Sequence, residues 1–184
     1  MAIKATIYKA SVELSDLDRQ IYRSANAVIA QHPSENNERL MIRVLAFALN
    51  LPGDDDHGPL EFAKDMWEPD EPALWQKDLT GKLLHWIEVG QPDEKRIMRV
   101  SARSGKVSVY SFGPANWWTG IATKITRARN LTVWQVPPEQ SGALSALAER
   151  TMELQVTIQD GAVYVSDNAH SVEVTPVRLF GEEN

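Results

Sequence analysis

The sequence has no cysteine among its 184 residues. That absence removes disulfides, a thiolate nucleophile and every Cys-ligated zinc site. A metal would have to be held by carboxylates, histidine, amide or backbone oxygens. No apolar run approaches the ~18–20 residues of a membrane-spanning helix, so no membrane partner is expected. The opening Met1-Ala-Ile-Lys-Ala-Thr-Ile-Tyr8 lacks the basic start and apolar stretch of a secretory signal. The expected compartment is the cytoplasm. No P-loop, G-x-G-x-x-G or Ser-His-Asp order occurs, and His32, His57, His85 and His170 are scattered.

One further scarcity is local. From Lys95 to Asn130 there is no acid, against eight Lys or Arg. From Asp54 to Asp78 the balance reverses, with nine acids against two lysines. The formal net charge of −6 argues against a general nucleic-acid coating protein. The split, however, is what a site offering carboxylates to a metal and cations to phosphate needs. Two solvated faces of different sign account for it equally.

What is present is ordinary globular composition, 43% hydrophobic and 24% charged. The length buries one substantial core, and a single domain over 1–184 is expected. Residues 2–14 alternate as a strand. Ser15, with Asp18 three residues on, reads as the cap of a helix carrying Leu17, Ile21, Ala25, Val28 and Ile29, ended by His32-Pro33. Ser34 is expected to cap a second helix, stopped at Pro52-Gly53. Leu60 to Met66 is ambiguous, and Glu71-Pro72 opens a short helical turn. Leu83 to Val89, Lys106 to Phe112 and Leu131 to Val136 read as strands. Helices are expected from Pro92 to about Ser104, from Pro114 to about Arg129, and after Pro138. The hairpin signal Asp160-Gly161 follows the alternation of Leu154, Val156 and Ile158, and Val172 to Leu179 reads as one edge strand. The pattern predicts an α/β (α+β) fold, a mixed central sheet flanked by helices. The N-terminal strand joins C-terminal antiparallel strands in an additional sheet.

Two carboxylates stand out. Glu88 interrupts the apolar run Trp86-Ile-Glu-Val89, where a charge needs compensation. Asp78 precedes it by ten residues, at the head of a hairpin turn. Brought together they would repel unless a cation lay between, and Mg²⁺ or Mn²⁺ suits such oxygens. Glu38, one turn into a helix, is a third candidate metal ligand. Bland alternatives stand beside each: an arginine partner such as Arg39 or Arg43 for Glu88, turn initiation for Asp78, and a favourable helix-end charge for Glu38. Arg96, Arg99 and Arg103 fall on one helical face, with Ile97 and Val100 turned to the core. With Lys106 they form a candidate nucleic-acid contact, the alternative being a solvated face. Trp86 and Trp134 are expected in the core, while one of Trp117 and Trp118 should point away from it.

This element order resembles the PD-(D/E)XK nuclease fold, with a restriction-endonuclease-like core at about 34–136. The counterparts of that family's residues are Glu38, Asp78 and Glu88. Gly90 stands where the family has its lysine, and Lys95 is the first substitute for it, with Arg96, Arg99 and Lys106 also available. Longer blocks, Lys4-Ala-Thr-Ile-Tyr-Lys-Ala10, His32-Pro-Ser-Glu35 with Glu38-Arg39, Trp86-Ile-Glu-Val-Gly-Gln-Pro-Asp-Glu-Lys-Arg-Ile97, Arg150-Thr-Met152 and Thr157-Ile-Gln-Asp-Gly161, are similar to the bacterial YaeQ family, understood as a variant of that nuclease fold. The YaeQ resemblance implies the fold, and the nuclease-fold resemblance implies Mg²⁺- or Mn²⁺-dependent phosphodiester hydrolysis on nucleic acid. Asp78 and Glu88 would hold the metal, Gln91 would orient a ligand or water, and Lys95 would stabilise the transition state. The alternative is a catalytically inactive nuclease-fold protein that acts as a binding or regulatory partner of another protein.

Overall fold

The N-terminal alternation forms β1 (Thr6–Asp16), and the chain turns at once into β2 (Ile21–Gln31). A computed structural model describes residues 3–182. The segment expected as a helix from Leu17 is therefore a turn and a strand. Ile21, Arg23, Ala25, Ala27 and Ile29 also satisfy a period of two. An unbroken register with β1, from Thr6↔Gln31 to Asp16↔Ile21, outweighs weak helical spacing. Gln20, at φ 57, makes the reversal.

The chain divides into two compact units, Met1–Gly53 with Glu139–Thr175 and Asp54–Pro138 with Pro176–Asn184. In the first, α1 (Asn37–Leu49) packs on β1. Its cap is Asn36, not Ser34: the Asn36 side chain accepts the Arg39 amide. The same unit holds α4 (Pro138–Ser145), β8 (Thr151–Gln159), β9 (Ala162–Ser166) and β10 (Ser171–Val174). Its five-stranded sheet runs β10-β9-β8-β1-β2, with β1 and β8 parallel and the other pairs antiparallel. Val12, Leu14, Met152, Leu154, Val156, Ile158, Val163 and Val165 are buried at alternate positions, the signature of a sheet with one packed face.

The second unit holds β3 (Leu60–Phe62), β4 (Leu74–Lys77), β5 (Leu83–Val89), α2 (Glu94–Arg103), β6 (Lys106–Phe112), α3 (Asn116–Ile121), β7 (Leu131–Val136) and β11 (Val177–Phe180). Its order is β11-β7-β6-β5-β4-β3, with β5, β6 and β7 parallel and antiparallel strands outside them. Helix α2 connects β5 to β6, and α3 connects β6 to β7. Trp86, Ile97, Val100, Val107, Val109, Ile125, Ala128, Leu131 and Val133 make its core beneath them.

Among the described residues, the two mixed sheets and four helices are the expected α+β class, including the additional sheet of N- and C-terminal strands. Several elements depart from expectation. The helical turn lies at Asp65–Trp67 rather than Glu71-Pro72. Helix α3 stops at Ile121 because Ile125 and Ala128 reach the core from turns, not from a continued helix. Val172 to Leu179 is two strands in different sheets, since Pro176 lacks the N–H that a continuous ladder would use. Trp117 and Trp118 are both half-buried against the core, as a six-residue helix lying flat allows, and Trp134 is half-buried.

Candidate functional site

Glu88 lies near the C-terminal end of β5 and faces α2. Its Oε1 accepts the Trp86 indole N–H at 2.8 Å and the Arg96 Nε–H at 2.5 Å. Arg96 also donates to the carbonyls of Pro69 and Glu71, so one guanidinium ties the strand to the chain ahead of β4. The compensation Glu88 requires comes from Arg96, rather than from Arg39 or Arg43. The crossover helix places its first turn over the end of the strand it follows, which brings residue 96 above residue 88. Arg96 and Arg103 both stand over the Trp86 ring, at 5.9 and 5.2 Å from its centroid.

Asp78 opens the β4–β5 turn. Its Oδ1 accepts from Thr80 N, Thr80 Oγ and Lys82 N at 2.8, 2.6 and 3.0 Å. The Thr80 hydroxyl first, then the Lys82 amide, holds its carboxyl below the usual range. This is the turn-initiating arrangement. Lys77 pairs with Leu83 and Asp78 lies opposite Lys82, so Asp78 and Glu88 sit at opposite ends of β5, separated by roughly 20 Å of strand. Glu38 lies in the other unit, in the first turn of α1. Among the described residues no three His, Asp or Glu side chains gather as a metal-holding group. The oxygens of Asp78 and Glu88, committed to separate partners at this distance, do not fit one shared ion.

Gly90, in the lysine position of the nuclease resemblance, has φ 113, a conformation that disfavours any side chain. It donates its amide to Tyr110 O at 2.9 Å. Gln91 uses its Nε2 on the carbonyls of Phe112 and Pro114, bracing the loop after β6. Lys95 is exposed at the start of α2.

The candidate nucleic-acid residues separate by direction. Arg96 turns inward. Lys106 shares a sheet face with His85 and Ser108, whereas Val107 and Val109 meet α2. Arg99 and Arg103 remain exposed on the helix. Sequence reasoning missed that the segment 122–130 lies alongside α2. Asn130 donates to the carbonyls of Ser101 and Ser104, and Lys124 reaches Glu94 at 3.9 Å. Lys95, Arg99 and Arg103 on α2, and Arg127 and Arg129 on the segment beside it, are all exposed. The acid-free run was their visible signal.

Two polar groups in the interior also went unnoticed. His85 is buried with its Nε2 2.7 Å from Ser108 Oγ. Burial first, and the Lys106 charge second, push its pKa from 6.5 to about 3. In the first unit, buried Glu35 pairs with Arg43 through both carboxylate oxygens, at 2.8 and 2.6 Å, and with Arg39 at 3.0 Å. The 35, 39, 43 spacing, one helical turn each, was the available signal.

These features define a two-sheet α+β protein with a buried glutamate–arginine pair at the end of a parallel strand and exposed cations on the helix that follows it. The YaeQ protein family model matches residues 1–176, and the chain belongs to the YaeQ family. A protein named "Uncharacterized protein YaeQ" from Escherichia coli (strain K12) is 40% identical over 177 residues, 95% of each chain. Its namesake from Salmonella typhi is 38% identical over the same share. The crystal structure of YaeQ protein from Xanthomonas axonopodis pv. citri superposes with a TM-score of 0.91 at 40% identity, covering 97% of this chain and all of that one. The YaeQ structure from Pseudomonas syringae gives 0.90 at 36% identity, covering 97% of each.

Proposed function

We propose that this chain acts by binding nucleic acid through the surface of α2 and the segment 122–130, without cleaving it. The observation that carries this reading is that Lys95, Arg99 and Arg103 on α2 and Arg127 and Arg129 on the adjoining segment are all exposed, in a span that holds no acid after Glu94. Five cations within a helix and its neighbouring loop suit successive phosphates of a backbone. The chain's net charge of −6 opposes coating elsewhere and confines the contact to this surface.

The test is fluorescence anisotropy with labelled duplex DNA and RNA over a range of salt. Contact with about four phosphates gives a slope of log K against log salt of roughly −3 to −4. The Arg99→Glu/Arg103→Glu chain should lose binding by about tenfold or more and show a shallower slope. A flat salt response, or equal binding by that variant, overturns the reading and directs the search to protein partners.

The rival reading, hydrolysis with Mg²⁺ or Mn²⁺ by Asp78, Glu88, Gln91 and Lys95, has the resemblance in element order behind it and the separation of Asp78 from Glu88 against it. Calorimetric titration of Mn²⁺ and a cleavage gel on the same samples decide it. Metal-dependent products that vanish in the Glu88→Gln chain would replace binding with catalysis.

A further inference from the structure

The edges of the two sheets are unequal. Three end on short strands, β3 of three residues, and β10 and β11 of four, with a register break in β11. The fourth is β2, eleven residues long, paired to β1 without a bulge and free of proline and lysine. Long regular edges are what natural sheets otherwise blunt with charge, proline or bulges.

The free backbone groups of that edge can be identified. Lys9 and Leu17 donate their amides to Arg150 O and Ile158 O, so the odd residues of β1 face β8. Lys9, Ser11, Glu13 and Ser15 pair with Val28, Asn26, Ser24 and Tyr22. These β2 residues therefore aim N–H and C=O away from the sheet. Ala30 shares their parity, and its carbonyl already accepts from Arg43.

We propose that β2 pairs with β2 of a second copy, antiparallel about a two-fold axis at Ala25. That register joins Tyr22 to Val28 of the other copy and Ser24 to its Asn26, and leaves Ala30 to Arg43. Tyr22 and Val28, each 65% exposed, then cover one another as an aromatic–β-branched pair. No ionisable residue lies between Ser24 and Gln31, and Arg23 meets Ala27 rather than another charge. For a chain of net charge −6, this is an edge that a second copy approaches without repulsion. The contact is isologous, and it extends two five-stranded sheets into one.

Two variants test the pairing by analytical ultracentrifugation and mild oxidation. Wild type should sediment at twice the 20.6 kDa chain mass at about 100 µM. Asn26→Pro removes an outward N–H that β1 does not use, so it should stay folded by circular dichroism and sediment as a monomer. In the Ala25→Cys chain, otherwise free of cysteine, the thiols face each other at a Cα separation of about 4.5 Å and should cross-link, whereas a Leu79→Cys control should not. A monomeric wild type at that concentration overturns the proposal. So does a dimer that survives Asn26→Pro and fails to cross-link through position 25.

Discussion

Glu88 is accommodated on an apolar strand because Arg96 and the Trp86 indole N–H meet the same oxygen. A carboxylate removed from water without such partners would cost several kcal/mol. Two residues on, Gly90 explains why no lysine follows: at φ 113 a side chain there is strained whatever space surrounds it. His85 resolves the same kind of conflict by losing its charge, and it carries a pH prediction. Its folded pKa of about 3 lies below the unfolded 6.5, so the unfolded chain takes up the proton first. Stability is full above about pH 6.5 and falls between 6.5 and 3 by up to about 1.4 kcal/mol per pH unit. Urea unfolding midpoints at pH 7, 6 and 5 should fall more steeply for wild type than for His85→Gln. Parallel slopes would show that His85 is not held neutral.

At the level of elements, the first turn of α1 is anchored by a buried carboxylate. Glu35 binds Arg39 and Arg43, and Arg43 continues to the carbonyl of Ala30 near the end of β2. The Glu35 and Arg43 side chains are 1% and 3% exposed, so neither ion can return to water when the other is removed. Glu35→Ala should cost about 3–5 kcal/mol in chemical denaturation. A loss below about 1 kcal/mol, the worth of a surface pair, would contradict this role. Elements also show where local signals mislead. Residues 21–29 satisfied helical and strand periods together, and only pairing with β1 separated them. Asp160-Gly161 needed no such help, because Gly161 at φ 77 makes a tight turn that its own sequence dictates.

For the whole molecule, the chain crosses between units after Gly53, Pro138 and Thr175. The last crossing delivers β11 to the edge of β7, where Phe180 lies 5.8 Å from Trp118 and Arg178 pairs with Trp134. All six tryptophans fall between Asp54 and Pro138, so indole fluorescence reports the second unit alone. A chain ending at Thr175 keeps every strand of the first sheet and uncovers β7. Its tryptophan emission should shift to the red, and its fluorescence-detected unfolding should weaken by roughly 2–5 kcal/mol. Unchanged emission and midpoint would mean that β11 adds nothing to that core.

The strands β5, β6 and β7, their crossover helix α2 and the β8–β9 turn were legible from residue order, because period, caps and turn residues act over a few neighbours. Glu88's need for a partner and the acid-free basic span were legible for the same reason. The identity of that partner, the separation of Asp78 from Glu88, the inward turn of Arg96 and the meeting of α2 with residues 122–130 were not. Each depends on strand register and on which elements lie side by side. Those are set by pairing and burial over long stretches of chain, and no local pattern encodes them.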